Sequence, residues 1–268
     1  MEKKFKLGVI GAGFMATAII KGSISSKVLS ADQICVSDLN DEALNRMNEM
    51  GVCATKDSAY LVNKSEFVLF AVKPQNLDSV LNAISNSLCD KFISIMAGVK
   101  KEKIKKVFNN ASVARCMPNT PCAIGRGAVG LDCSDFTNIH DVEFVKNLLS
   151  SFANVVEVNE DKMNAVTGVS GSSPAYFYLF LKGIIDAGVK QGLDYEAAKT
   201  LATSTLIGAG EMVLKNPGKS LDELINAVCS KGGTTIEAIK VYENEKLNLI
   251  TERAVAACVK RAAELENL

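Results

Sequence analysis

The chain has 268 residues, 48% of them hydrophobic, and balances 30 Lys+Arg against 30 Asp+Glu. A chain of that length carries one large or two ordinary domains around a substantial core, and its charge balance argues against the basic surface that draws a protein onto nucleic acid or anionic lipid. One histidine, His140, and eight cysteines without a CxxC pair do not assemble the usual metal ligand sets at standard spacing, so no metal is expected and the thiols read as reduced core residues.

The sequence passes from MEKK straight into a strand pattern, without the charged, apolar and small-residue order of a leader, and no apolar run reaches spanning length. A cytoplasmic protein without a membrane partner is the expectation. From Phe5 to about Asn159, β-rich runs alternate with helical stretches: FKLGVIG, QICVSD, FVLFAV, KFISIMA, SVARCMP, AVGLDCS and NVVEVN, with DEALNRMNEM and LDSVLNAISNSL between them. Several strands are apolar at consecutive positions, as strands covered on both faces must be. The rhythm predicts a mostly parallel sheet with crossover helices, that is, an α/β Rossmann domain over residues 1–160.

The first strand ends in Gly11-x-Gly13-x-x-Ala16 and opens into the helical run MATAIIKGSIS, the setting of a dinucleotide fingerprint. Glycine at 11 allows the tight turn, glycine at 13 lets the backbone approach a pyrophosphate, and Ala16 lets helix and strand pack closely. The second strand ends at Asp38, placed to accept hydrogen bonds from an adenosine ribose and to repel a 2′-phosphate, which leans toward NADH over NADPH; the other reading is a cap for the helix DEALNRM. At the end of the third strand, Lys73 and Pro74 stand at the carboxyl edge of the sheet, and Ala97 and Gly98 close the fourth with small residues beside which a flat ring fits. The basic run Lys100, Lys101, Lys103, Lys105 and Lys106 reads as the wet face of a short helix.

After about Glu160 the pattern is helical throughout, broken at SGSSP, KQG, KNPG and SKGG, so residues 161–268 are expected to form an all-α domain. Ser173 suits an N-cap and Pro174 the first turn of a helix whose sequence, AYFYLFLKGIIDAGV, is apolar around nearly its whole circumference. A domain this small does not cover such a helix alone, so a homodimer or larger assembly is expected. Near the end, VCSKGGTTIEAIKVYE sets Gly232 and Gly233 before a helix, with Thr234 and Glu237 at capping-box spacing and Thr235 left free. The loop reads either as an ordinary capped helix start or as a receptor for a carboxylate.

The ordered pieces IGAGFMA, AVKPQ, MPNTP, VTGVSGSSPAY, GLDYEAA and VCSKGGTTIEA together resemble the pyrroline-5-carboxylate reductases. The resemblance implies a Rossmann domain followed by a helical dimerisation domain like the C-terminal domain of 6-phosphogluconate dehydrogenase, with dimers sometimes joined in rings. It implies reduction of L-1-pyrroline-5-carboxylate to L-proline by NADH or NADPH. It also implies that Ile10, Gly11, Ala12, Gly13, Phe14, Met15, Asp38, Ala71, Val72, Lys73, Pro74 and Ala97 lie along the cofactor. Ser230, Gly232, Gly233, Thr234 and Thr235 would surround the substrate, with Thr235 near the imine nitrogen as the catalytic residue. Two positions depart from the family pattern: Ser173 stands where glycine is usual, and Lys231 where proline is usual. A hydroxyacid dehydrogenase would need a lysine in VTGVSGSSPAY, which has none.

Overall fold

The computed structural model describes residues 3–266. The chain forms two compact units, one made of residues up to Ser172 together with those from Cys258 onward, the other of Ser173–Ala257.

The first unit is built on a sheet of strands β1 (Phe5–Ile10), β2 (Ile34–Ser37), β3 (Cys53–Thr55), β4 (Ser65–Phe70), β5 (Lys91–Ser94), β6 (Ser112–Pro118), β7 (Gly127–Asp132) and β8 (Ala153–Glu157). They lie in the order β3-β2-β1-β4-β5-β6-β7-β8. Every neighbouring pair is parallel except β6 and β7. Helices α1 (Phe14–Ser25), α2 (Asp41–Glu49), α3 (Ser58–Lys64), α4 (Leu77–Ile84), α5 (Lys101–Lys105) and α6 (Ile139–Ser150) connect them, and α7 (Met163–Val166) follows β8. The expected Rossmann-type sheet is therefore present, with β3 as a strand that the sequence reading passed over.

The consecutive apolar residues of the strands sort by parity onto opposite faces, because successive side chains of a strand point opposite ways. Ile34, Val36, Phe67, Leu69, Ile93, Ala114 and Cys116 pack into one core. Their neighbours Cys35, Val68, Phe70, Phe92 and Val113 pack into the other, where the Phe70 and Phe92 rings lie 5.4 Å apart.

The basic run is not uniformly wet. Lys101 is buried, its ammonium held by Asp132 Oδ1 at 3.0 Å, Asp135 Oδ1 at 2.9 Å and Ser134 Oγ at 2.9 Å. Burial works against the charged lysine, but the hydrogen bonds to Asp135 and Asp132 overcome it and hold the ammonium above its usual range. Burial would raise the Asp132 carboxyl, but hydrogen bonds from the Ser134 hydroxyl and N–H, and then from Lys101, hold it below its usual range.

The second unit contains α8 (Ser173–Lys190), α9 (Tyr195–Lys215), α10 (Leu221–Val228) and α11 (Thr234–Asn244), and α12 (Leu247–Leu265) carries the chain back into the first. SGSSP is not a loop: Thr167–Gly171 forms a π-helical turn closed by the Ser172 N–H on Thr167 O at 2.9 Å, and α8 begins at Ser173 itself rather than after it. A further break, unmarked by glycine or proline, falls at Lys246, whose φ is +56°. The unit is thinly covered. Leu179 and Leu214 are each 73% exposed, and Phe177, Tyr178, Leu201 and Ile207 also stand in the open. Ile185 and Ala198 are buried.

Candidate active site

The cleft lies where open α/β sheets hold ligands, at the carboxyl ends of the strands. After β1 the backbone turns at Gly11 with φ +101°, a conformation that L side chains rarely adopt, and a Cβ there would stand 2.7 Å from Ala71 O. Hydrogen bonds lock the strand ends together: the Gly11 N–H donates to Ser37 O at 2.7 Å and the Ala71 N–H to Ile10 O at 2.9 Å. The Ala12 N–H donates to Asp38 Oδ2 at 2.7 Å.

Gly13 is the N-cap of α1, without a side-chain cap, and nothing lies within 4 Å of where its Cβ would be. The first turn of α1 thus has no side-chain cap for its amides and no side chain at Gly13 to crowd a ligand, an arrangement suited to a phosphate.

Asp38 is fixed rather than loose, since its other oxygen accepts from the Asn40 N–H at 2.9 Å. It does not cap α2; Asn40 does, accepting from the Ala43 N–H at 3.0 Å. That decides between the two sequence readings of Asp38 as far as the helix is concerned.

A cleft of about 930 Å³ brings together Ile10, Gly11, Gly13, Asp38, Ala71, Val72 and Lys73, with Ser37, Lys56 and Ser58 on its wall. Of the other expected cofactor residues, Ala12 is buried behind the turn, while Phe14 is exposed and Met15 half-buried at the start of α1. Pro74 faces a neighbouring depression with Gly98 and Lys100. Lys56 and Ser58 follow β3, and with that short strand unread, nothing in the sequence drew attention to them. The residues fit a dinucleotide: an uncapped helix start at Gly13 without a side chain to crowd it, a fixed carboxylate after β2, and Lys73 after β4.

Ala97, half-buried, ends the segment after β5. Beside it Gly98 has φ +67°, and a Cβ there would come 2.8 Å from Leu265 Cβ. Below this segment runs an ionic network. Arg115, 3% exposed, donates to Glu266 Oε1 at 2.8 Å and approaches Glu160 Oε1 at 3.4 Å, while the Lys101 N–H donates to Glu160 Oε1 at 2.7 Å. Lys100 approaches Glu266 at 3.5 Å. Burial alone would raise the Glu266 carboxyl; hydrogen bonds from Arg115 and Asn164 overcome it and hold the group below the usual range.

The second glycine loop belongs to the other unit. Gly232 has φ +73°, and the Gly233 N–H donates to Ser230 O at 3.0 Å. The expected capping box is absent: Gly233 is the N-cap, no side chain caps α11, and Glu237 pairs with Lys240 at 2.6 Å. Thr234 and Thr235 both sit in the first turn, Thr234 exposed and Thr235 half-buried. The open amides of that turn have no side-chain acceptor, and the exposed Ser230 and Lys231 stand beside them. The carboxylate-receptor reading keeps its physical basis while the capping argument for Thr235 falls.

A doubly wound, mostly parallel sheet with such a cleft, followed by a helical domain, defines the class: an NAD(P)H-dependent oxidoreductase. Residues 6–98 match the family model described as NADP oxidoreductase coenzyme F420-dependent. Residues 160–265 match that of pyrroline-5-carboxylate reductase dimerisation, a domain whose description is assembly. The chain is 37% identical to a pyrroline-5-carboxylate reductase of Haemophilus influenzae, over 98% of each chain. It superposes on the structure of a pyrroline-5-carboxylate reductase from Coxiella burnetii with a TM-score of 0.90 and 30% identity, covering 98% of this chain and 99% of that one. On Plasmodium falciparum pyrroline carboxylate reductase, solved with NADP bound, the TM-score is 0.88 at 28% identity, covering 99% and 100%. The chain belongs to the pyrroline-5-carboxylate reductase family. No helix among the described residues is long and apolar enough to cross a membrane.

Proposed function

We propose that this chain carries out its family's reaction, reduction of L-1-pyrroline-5-carboxylate to L-proline, the last step of proline biosynthesis, with residues 1–160 binding the cofactor and residues 161–268 binding substrate and forming a homodimer. The observation that carries the reading is the kinship along nearly the whole of both chains, which includes both glycine loops.

Bound in the cleft, a reduced nicotinamide supplies the hydride for the C=N carbon of the protonated imine, whose nitrogen becomes the ring amine of proline. The chain supplies position and polarity. The turn from Ile10 through Met15 takes the pyrophosphate on backbone amides, and Ala71, Val72, Lys73 and Pro74 line the path toward Ala97 at the ring. Asp38 accepts from the adenosine ribose; a fixed carboxylate there disfavours a 2′-phosphate and leans the chain toward NADH. Ser230, Gly232, Gly233 and Thr234 receive the substrate carboxylate at the head of α11, and the Thr235 hydroxyl holds the imine proton in place. A protonated cyclic imine is already a good electrophile, so Thr235 needs only to position and polarise it.

The exposed apolar residues of α8 and α9 support a dimer through the helical domain, with rings of dimers as the further assembly. The free thiols of all eight cysteines accord with a cytoplasmic setting. The test is oxidation of NADH and NADPH, side by side, with and without pyrroline-5-carboxylate. Substrate-dependent turnover is expected with both and faster with NADH. Turnover faster with NADPH discards the Asp38 argument and keeps the enzyme, and none with either cofactor overturns the function.

A further inference from the structure

The segment that leads from β5 into α5 is braced from a part of the chain more than a hundred and fifty residues away. Leu265 packs on Gly98 so closely that the glycine has no room for a side chain, and Gly98 takes a backbone conformation that glycine alone adopts readily. The residue after Leu265, Glu266, has a side chain only 9% exposed and reaches Arg115 at 2.8 Å and Lys100 at 3.5 Å. Arg115 lies on β6 directly opposite Ser94 of β5, three residues before Ala97. The same cation meets Glu160, which in turn accepts the Lys101 N–H. The segment from Ala97 to Lys101 is thus held from below at Gly98, at Lys100 and at Lys101, and two of those three holds run through Leu265 and Glu266.

We propose that Glu266 is a positioning residue for hydride transfer: with Leu265 it fixes the backbone of Gly98–Lys100 and so the adjoining Ala97, the residue read as standing at the nicotinamide ring. The inference rests on the reading above that Ala97 lines the cofactor. Glu266 touches neither reactant in this account. It acts through Arg115 and Lys100, and through the packing of its neighbour on Gly98. A reacting pair is sensitive to such support, because a misplacement of about 1 Å costs up to about a hundredfold in rate.

The test uses the full-length protein, its Glu266→Ala, Glu266→Gln and Leu265→Ala variants, and two readouts. Steady-state kinetics is expected to show KM for the cofactor raised and kcat lowered, each about five- to tenfold, in Glu266→Ala, with KM for pyrroline-5-carboxylate unchanged. Glu266→Gln, which still accepts from Arg115, recovers part of both. Leu265→Ala leaves every charge paired and is expected to show the same split, so the idea survives testing even if an unpaired Arg115 prevents Glu266→Ala from folding. Hydrogen exchange of peptides covering residues 95–101 separates the two layers of the argument. In the unmodified protein, cofactor is expected to slow exchange there; no protection overturns the placement of Ala97 and this inference with it. With protection present, the variants without cofactor are expected to exchange faster in the same peptides. Unchanged exchange and an unchanged cofactor KM in both Glu266→Ala and Leu265→Ala refute the positioning role and leave the placement of Ala97 standing.

Discussion

Replacing Lys101 by methionine separates two accounts of the basic run, since a lysine on a wet helix face is worth almost nothing to stability and a buried one is not. The Lys101 side chain is 8% exposed and the carboxylates it meets are 5% and 14% exposed, for Asp132 and Asp135. Methionine preserves the apolar stem and removes the charge. Breaking a buried ion pair from one side costs about 3–5 kcal/mol, because it leaves the other charge buried without a partner. Two contacts moderate the loss here. Asp135 keeps Lys105 at 2.9 Å, and Asp132 keeps the Ser134 hydroxyl at 2.7 Å and its N–H at 2.9 Å. A loss near the lower bound, about 3 kcal/mol, is therefore expected, or roughly 6–12 °C in melting temperature for a chain of this size.

The assay is urea unfolding of both proteins, followed by the double variant with Asp132→Asn, which is expected to lose less than the sum of the single changes. The pH dependence carries a second signature. The lowered Asp132 and Asp135 contribute stability above the unfolded value of 3.8, which is lost as pH falls through their folded values; the raised Lys101 contributes below 10.5, and that is lost as pH rises through its folded value. Lys101→Met is thus expected to flatten the acid limb of the stability profile. A loss under about 1 kcal/mol with an unaltered acid limb would show that burying the ammonium costs as much as its three partners return.

Thr235→Ala is expected to lower kcat at least tenfold (about 1.4 kcal/mol) with the cofactor dissociation constant unchanged, and full turnover would remove its catalytic role. Gly11→Ala meets Ala71 O and a positive φ together; loss of cofactor binding with a stability cost of about 1–2 kcal/mol is expected, and normal cofactor KM would refute the turn's role. Asp38→Asn keeps the size and removes the charge, so the ratio of kcat/KM for NADPH over NADH is expected to rise several-fold. Leu179→Lys, on the exposed face of α8, is expected to shift the assembly to monomer in sedimentation velocity; an unchanged species would place the interface elsewhere.

Much of the fold was legible because each strand carries apolar residues on both parities, and that pattern has few other uses. Cys53–Thr55 escaped because a strand of three residues directly after Gly51 and Val52 shows no period at all, and with it went Lys56 and Ser58 on the cleft wall. Reversal of β7 was not read either, although only residues 119–126, a short connection with a 3-10 turn at Thr120–Ile124 and Gly125 at φ +70°, separate it from β6, too little chain for a parallel crossover. Gly11, Gly13 and Asp38 could be placed in the cleft because a glycine turn at the end of one strand and an acidic residue at the end of the next form a known pattern, although Asp38 meets Ala12 across 26 residues. Lys101 could not: the aspartates that bury it lie some thirty residues further on. The capping box at Thr234 failed for a local reason, since the Gly233 N–H bound to Ser230 O makes Gly233 the cap and starts the helix one residue earlier in role than Thr-x-x-Glu suggests. No sequence signal marked the residues from Cys258 onward as members of the first unit.

That last feature imposes an order on synthesis. Domains commonly fold as they leave the ribosome, the N-terminal one first. Here the first unit is emitted almost whole by Ser172, yet Arg115 remains without its 2.8 Å partner, and Gly98 without its cover, until Glu266 has emerged. A nascent chain therefore carries a partly assembled nucleotide domain through the entire translation of its helical one. Full cofactor affinity is expected only once Leu265 and Glu266 have joined the first unit, so a chain stalled within the helical domain would hold a nicotinamide nucleotide more weakly than the full-length protein.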